Sequence, residues 1–341
     1  MSIPARELTR SKRRIVLVIA IVLSSVATAA LCSCATAAPQ EGPELPVLPS
    51  YTDQLSAADK EKIDFRNSIR ALDPCGYVDA MALSRIGKPV MSGAAGFVFG
   101  PCEIWFDGPR ITIDLGRVVP DAVPRVVAGT TVWIHHADES GNSCSAQLRL
   151  NDSYGVDFGV TLRRNIGDPP TPVEACNMAA DLAAAPTAQQ AGRPLRAESK
   201  YPRMNSRLAS IDPCAVLGKV GPGHRPVLAP DFVDYPFWCD FYLDEGDESS
   251  FRTVQYSYRS YDHMKPLRGQ RELTIGGFQA LEDPKPIDTA PGTCAIYIAT
   301  DPPDTASGAQ TETVEVTARS GCAAAHTLAE ELTRLYHEFA R

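Results

Sequence analysis

Eight of the ten cysteines fall into two sets of four: Cys75, Cys102, Cys144 and Cys176, then Cys214, Cys239, Cys294 and Cys322. Successive members are 27, 42 and 32 residues apart in the first set and 25, 55 and 28 in the second. Cysteines so placed could ligate a metal or close disulfides. Structural zinc sites draw ligands in close pairs such as Cys-x-x-Cys, and these eight contain no such pair, so disulfides are the expected chemistry and no metal is assigned. Four cysteines allow three pairings, which sequence alone does not separate. First-to-second and third-to-fourth is favoured, because those separations barely change between the sets while the middle one changes by 13. The expected bonds are Cys75 to Cys102, Cys144 to Cys176, Cys214 to Cys239 and Cys294 to Cys322.

A second group with chemical potential lies just after the second cysteine of each set. Glu103, Trp105 and Asp107 alternate in "CEIWFD", as Asp240, Tyr242 and Asp244 do in "CDFYLD". Alternation in a strand puts each trio on one face, where an aromatic ring flanked by carboxylates could stack on a sugar or hold a cation, or could pack beneath a helix. His135 and His136, with Asp138 and Glu139, form the densest cluster of potential metal ligands. Neighbours in a strand point to opposite faces, which separates the two imidazoles. His263 beside Asp262 and His337 beside Glu338 read as surface residues. No Gly-x-Ser-x-Gly elbow, His-Glu-x-x-His zinc motif or phosphate-binding Gly-Lys-Ser/Thr is present. Glycine-rich "GAAGFVFG" from Gly93 to Gly100 lacks the strand and crossover helix of a dinucleotide site. No catalytic residue and no cofactor are assigned.

The surroundings of the cysteines match as well as their spacing. The first of each set follows Asp-Pro, in "ALDPCGYV" and "SIDPCAVL"; the third sits in "CSAQLRL" and "CAIYIAT"; the fourth opens "CNMAADLA" and "CAAAHTLAEEL". Such self-similarity marks a tandem repeat. Asp is a favoured N-cap and Pro suits the first helical position, where no amide donor is needed, so Asp73-Pro74 and Asp212-Pro213 read as helix starts.

Periodicity gives five strands per copy. Strand one is 102–107 or 239–244; strand two starts at Arg110 or Phe251; strand three starts at Thr130 or is "ELTIGGFQAL" from Glu272; strand four contains Cys144 or Cys294; strand five starts at Val156 or Glu312. A closing helix follows, apolar in the second copy at Ala325, Leu328, Ala329, Leu332, Leu335 and Phe339 and cut short in the first by Pro186. The expected fold class is α+β: two similar disulfide-stapled domains, each a largely antiparallel sheet of about five strands with an N-terminal and a C-terminal helix. The expected boundaries are 61–188 for the first domain, 189–203 for a linker and 204–341 for the second.

The first residues carry an address. Arg6, Arg10, Lys12, Arg13 and Arg14 precede an apolar run from Ile15 to Leu31, the n- and h-regions of an export signal. Leu31-Cys32-Ser33-Cys34 resembles a bacterial lipobox, which implies a signal peptide over 1–33 and lipidation of Cys34, palmitate included. Plain cleavage or a retained anchor are the other readings. Loss of 1–33 would remove five basic side chains and one acidic one, taking the formal net charge from −8 to −12, a balance that repels nucleic acid. Residues 34–60, with Pro39, Pro43, Pro46 and Pro49, read as a semi-extended tether.

Asp-Pro-Cys before a short helix, a second cysteine opening an aromatic-containing strand, and a late cysteine leading an alanine-rich helix together resemble the actinobacterial cell-envelope lipoproteins classed as a domain of unknown function. More distantly, the stapled α+β plan is similar to the extracellular sensor domains of actinobacterial serine/threonine kinases. The expectation is a noncatalytic lipoprotein, held on the extracytoplasmic face of the cell membrane by its N-terminal lipid, that binds an envelope protein or cell-wall ligand. The alternatives are an envelope hydrolase with an unrecognised site and a structural or secretion spacer.

Overall fold

One aspartate begins each half of the fold, as the sequence implies. Asp73 and Asp212 each accept the amide of the following cysteine, Cys75 or Cys214, at 2.9 Å. With proline at the first helical position, each starts a single 3₁₀ turn, Pro74–Tyr77 or Pro213–Val216. A short α-helix follows each turn, α2 (Ala80–Ile86) in the first half and α5 (Leu217–Val220) in the second. The structure is a computed structural model and describes residues 51–339 except 95–98, 136–141, 163–171, 186–192, 202, 230–234, 268, 288 and 302–309. The export signal, Cys34, most of the tether, His136, Asp138 and Glu139 lie outside the described residues. Leu48–Arg341 forms one compact unit.

The first sheet contains β1 (Met91–Ala94), β2 (Cys102–Trp105), β3 (Pro109–Arg117), β4 (Val123–Val127), β5 (Thr130–His135), β6 (Ser143–Arg149) and β7 (Tyr154–Leu162), and is closed by α3 (Pro172–Ala183). The second contains β8 (Val227–Leu228), β9 (Trp238–Tyr242), β10 (Phe251–Ser260), β11 (Arg271–Ile275), β12 (Phe278–Asp283), β13 (Cys294–Ala299) and β14 (Gln310–Ala318), and is closed by α6 (Cys322–Glu338). Strand order is β1-β2-β3-β7-β6-β5-β4 in one and β8-β9-β10-β14-β13-β12-β11 in the other, all antiparallel. Registers coincide too: Cys102, Ile113, Phe158 and Ala146 lie in one row across the first sheet, as Cys239, Val254, Val316 and Ile296 do across the second.

The fold is α+β with two sheets, but seven strands replace the five expected in each. Beta-1 reads "MSGA" and β4 reads "VPRVV", with the glycine and proline that weaken a strand signal. Beta-8 is two residues long. The segment from Glu272 is no single strand but the hairpin β11–β12, turned at Gly276 and Gly277 with φ of 57° and 87°. The lone N-terminal helix expected in each domain is instead a 3₁₀ turn and a short α-helix. Ahead of the first copy, residues read partly as tether fold into a 3₁₀ turn (Tyr51–Gln54) and α1 (Ala57–Arg70), capped by Ser56. Alpha-4 (Arg207–Ser210) precedes the second copy.

All four disulfides pair as favoured: Cys75–Cys102, Cys144–Cys176, Cys214–Cys239 and Cys294–Cys322. The first bond of each half ties the Asp-Pro-Cys turn to a strand, and the second ties the closing helix to another. In each core, alternate strand residues such as Ile104, Ile113 and Phe158, or Phe241, Val254 and Val316, meet the closing helix through Ala175 and Ala179 or Ala325 and Leu328. The halves also interpenetrate. Leu55 and Ile63, both ahead of the first Asp-Pro-Cys corner, are buried in the second core, and Phe99 stacks there on Tyr258 at 4.9 Å.

Candidate functional site

The closing helices end differently, and the difference opens a groove. Ala183 lies seven residues after Cys176, as Ala329 does after Cys322; α3 stops there, three residues before Pro186, whereas α6 continues to Glu338. In the second half this extension covers the β11–β12 turn. Thr333 is buried against Gly276, where an added Cβ would lie 2.5 Å from it. His337 Nε2 donates to the Gly276 carbonyl at 2.8 Å, and Phe278 packs on Tyr336 and His337. A polar recess of about 390 Å³ remains beside it, edged by Arg271, Glu272, His326 and Glu330.

In the first half the matching turn, Ala128 and Gly129 with φ of 50° and 84°, borders a groove of about 1000 Å³ between α2, α3 and β4. Its apolar lining comes from Met81 and Ile86 of α2, Val127 of β4, and Met178 and Leu182 of α3. Met81 is 67% exposed. Asp79, Glu174 and Asp181 stand around it with Arg85, and Arg125 donates to the lining Asn177 at 2.8 Å. Val123 and Val126 on the neighbouring edge strand are 65% and 70% exposed, whereas edge strand β11 presents Arg271 and Glu272, charges that discourage edge pairing. The described residues lining the groove include no hydroxyl, thiol or imidazole.

The aromatic and acidic strip singled out from the sequence lies elsewhere, on the sheet faces turned away from the closing helices, and most of its groups already have partners. Glu103 is buried and accepts the Trp105 indole proton at 3.0 Å, with Arg110 at 3.6 Å. Arg110 also lies over the Trp105 ring. Asp240 accepts the Trp238 indole proton at 2.7 Å; burial raises its pKa, against the opposing bonds from Thr253 and Trp238. Asp244 binds His224 at 2.7 Å, Tyr242 packs on Phe251, and Asp107 is exposed. Trp105 and Tyr242 occupy matching register positions, opposite Arg110 and Phe251.

The same outer face of the first sheet brings together residues that sequence reasoning did not connect. His135 Nε2 lies 2.6 Å from Asp157 Oδ2, a bond that raises the imidazole pKa. Asp157 faces Asp114 across β3–β7, and burial, with the Asp157 charge added, pushes the Asp114 carboxyl up to about 7. Ser145 stands opposite His135 across β5–β6. Alternation within "ITIDLG" and "VDFGV" is the signal that could have put each aspartate on the outer face, but their meeting depends on the β3–β7 register. At the same positions the second sheet carries Gln255, Glu315, Asp283 and Ala295, so this acid and imidazole set occurs in one copy only.

Among the described residues, the one tight cluster of potential metal-ligand atoms is Glu282, Cys294 and Cys322. Both sulfurs are in a disulfide and the carboxylate is bound by Arg271 and His326, so it offers no thiolate. No protein-family model matches the chain, and neither a curated protein nor a solved structure matches it significantly.

Proposed function

We propose that the protein is a noncatalytic envelope module, lipidated at Cys34 and tethered to the extracytoplasmic face of the cell membrane, that binds a partner through the groove between α2 and α3. The single observation carrying this reading is the contrast between the halves: where the second copy fills the space with two further turns of its own helix, the first leaves methionine and valine exposed. Exposed apolar patches of that kind mark interaction sites. The two copies are read as one domain duplicated, supported by identical strand order and matching cysteine registers; one copy then kept a closed, structural form while the other diverged toward binding. A photo-crosslinking residue placed at Met81 should give partner adducts in living cells, and one at Ile287, 88% exposed in the second half, should give few. Cys34→Ala should release the chain from membranes and weaken the Met81 adducts. Equal adducts from Met81 and Ile287 would remove the groove from consideration.

A further inference from the structure

Given that the groove is a docking site, the question is what shape and charge of partner it takes. The second half supplies a physical answer. There the same space, bounded by the closing helix and a two-residue hairpin turn, is filled by a helix: Leu332, Thr333, Leu335 and Tyr336 of the extended α6 are all buried. The neighbouring helix α5 is likewise covered by a helical segment, Tyr51–Gln54, through Tyr51 and Gln54 against Gly218 and Gly221. In the second half both segments that close this corner are thus helical.

A strand is the poorer occupant. In the hairpin β4–β5 the two-residue turn makes Val127, Arg125 and Val123 the inward-bonding positions. The outward positions are then Pro124 and Val126, and proline has no amide proton to offer an added strand.

Charge and softness narrow the partner further. Three carboxylates (Asp79, Glu174, Asp181) edge the groove against Arg85 and against Arg125, which donates to the lining Asn177 at 2.8 Å. Asp79 is also engaged as the cap of α2, so it is above all the exposed Asp181 that favours a positively charged partner. The chain's own tether is the wrong sign: residues 35–50 carry Glu41 and Glu44 and no lysine or arginine. Met81 and Met178 are unbranched and polarizable, a lining that adapts to the apolar face of a helix. We infer that the groove of the first domain takes a basic amphipathic helix of a partner protein, about three turns or 16 Å long, seated where α6 seats its own C-terminal turns in the second. This rests on the groove being the binding site, as proposed above.

The test uses the full-length chain in detergent with two synthetic peptides of about fourteen residues. Both have leucine and one photo-leucine at helical spacing; one carries lysine on its polar face and the other glutamate. Cross-links are located by mass spectrometry. The lysine peptide should label α2 and α3 at least tenfold more than the glutamate peptide. Met178→Arg should abolish that labelling, and Asp181→Lys should shift the preference toward glutamate. Circular dichroism and an intact disulfide map on each variant show that the fold survives. Equal labelling by both peptides, unmoved by Asp181→Lys, overturns the basic-helix inference and leaves the docking groove standing. The same holds if neither peptide labels the groove but a diazirine fatty acid does, in a manner lost in Met178→Arg, or if the adduct is a second copy of this chain. Absence of any groove label from peptides, fatty acid and self overturns both readings.

Discussion

The two Asp-Pro-Cys corners share one local structure and have opposite electrostatics. Asp212 is met by Arg66, a fully buried guanidinium from ahead of the first Asp-Pro-Cys corner, and by the Tyr51 hydroxyl. Burial pushes the Asp212 carboxyl up, yet Arg66, Arg70 and the Tyr51 bond outweigh it and leave its pKa below the usual range. At the other corner the equivalent visitor is Arg196, from ahead of the second copy. Its guanidinium goes to the Gly100 and Met204 carbonyls at 2.8 and 3.3 Å and reaches Asp73 only through the field. Burial then wins, and Asp73 is raised. The motif fixes the turn; the segment delivered by the opposite half decides the charge balance.

The largest effect expected from that contrast is at Arg66. Removing one member of a buried ion pair strands the other, at a cost of about 3–5 kcal/mol, so Arg66→Ala should lower the denaturant-derived stability by that order. Arg196→Ala strands carbonyls rather than a directly paired carboxylate and should cost less, about 1–3 kcal/mol. Equal losses in the two variants would mean that direct pairing at Asp212 is not what distinguishes the corners.

Covalent and local features were legible in the residues themselves: the disulfide pairing, the caps at Asp73 and Asp212, and the alternation that buries Cys102, Ile104 and Phe106. What escaped was whatever depends on the other half. Helix α1 has a polar sequence, "AADKEKIDFRNSIR", and stays folded because Ile63 and Arg66 find partners in the second half while Phe65 packs on Tyr154 of the first sheet. Beta-4 has a weak strand signal and is held by pairing with β5. The groove was invisible because it is made by where α3 stops relative to a hairpin turn, a distance that no one-dimensional pattern expresses. The Trp105 strip was legible as a face, but not the indole and guanidinium partners that occupy it.

A second contrast separates the hairpin turns. Gly276 and Ala128 hold the same left-handed position, but only Gly276 lies beneath a closing helix. Gly276→Ala should cost about 2–4 kcal/mol, combining the left-handed penalty of a side chain with overpacking against Thr333. Ala128→Gly relieves the first term and meets no helix, so its melting curve should shift by about 1 kcal/mol or less, counting the flexibility glycine adds to the unfolded chain. A loss at Ala128 as large as that at Gly276 would show that the first turn is also roofed.

The smallest effect near pH 4.5, and the sharpest in its pH signature, is at Glu312. Its register counterpart in the first sheet is Tyr154, an aromatic residue packed edge-on to Phe65 at 5.3 Å. The second half places a carboxyl at that position, 5% exposed, with Oε2 lacking a hydrogen-bond partner. Burial pushes it up to about 8; Asp301 adds to the rise, while Ser206 and Arg203 oppose it. Tyr258, whose hydroxyl donates to the Arg203 carbonyl, and Tyr336, which donates to Asp301, complete the surroundings. Between the ordinary glutamate value and about 8 the folded chain holds a proton that the unfolded chain has released, so stability falls as pH rises through that window and levels off above it. Each unit of raised pKa is worth about 1.4 kcal/mol. Glu312→Gln removes the titrating group and keeps its shape: wild type and variant should melt together near pH 4.5, with the variant ahead by a few kcal/mol at pH 8. Two curves that stay parallel from pH 4.5 to 8 would mean that Glu312 is already ionised in the folded chain, its charge met by Arg203.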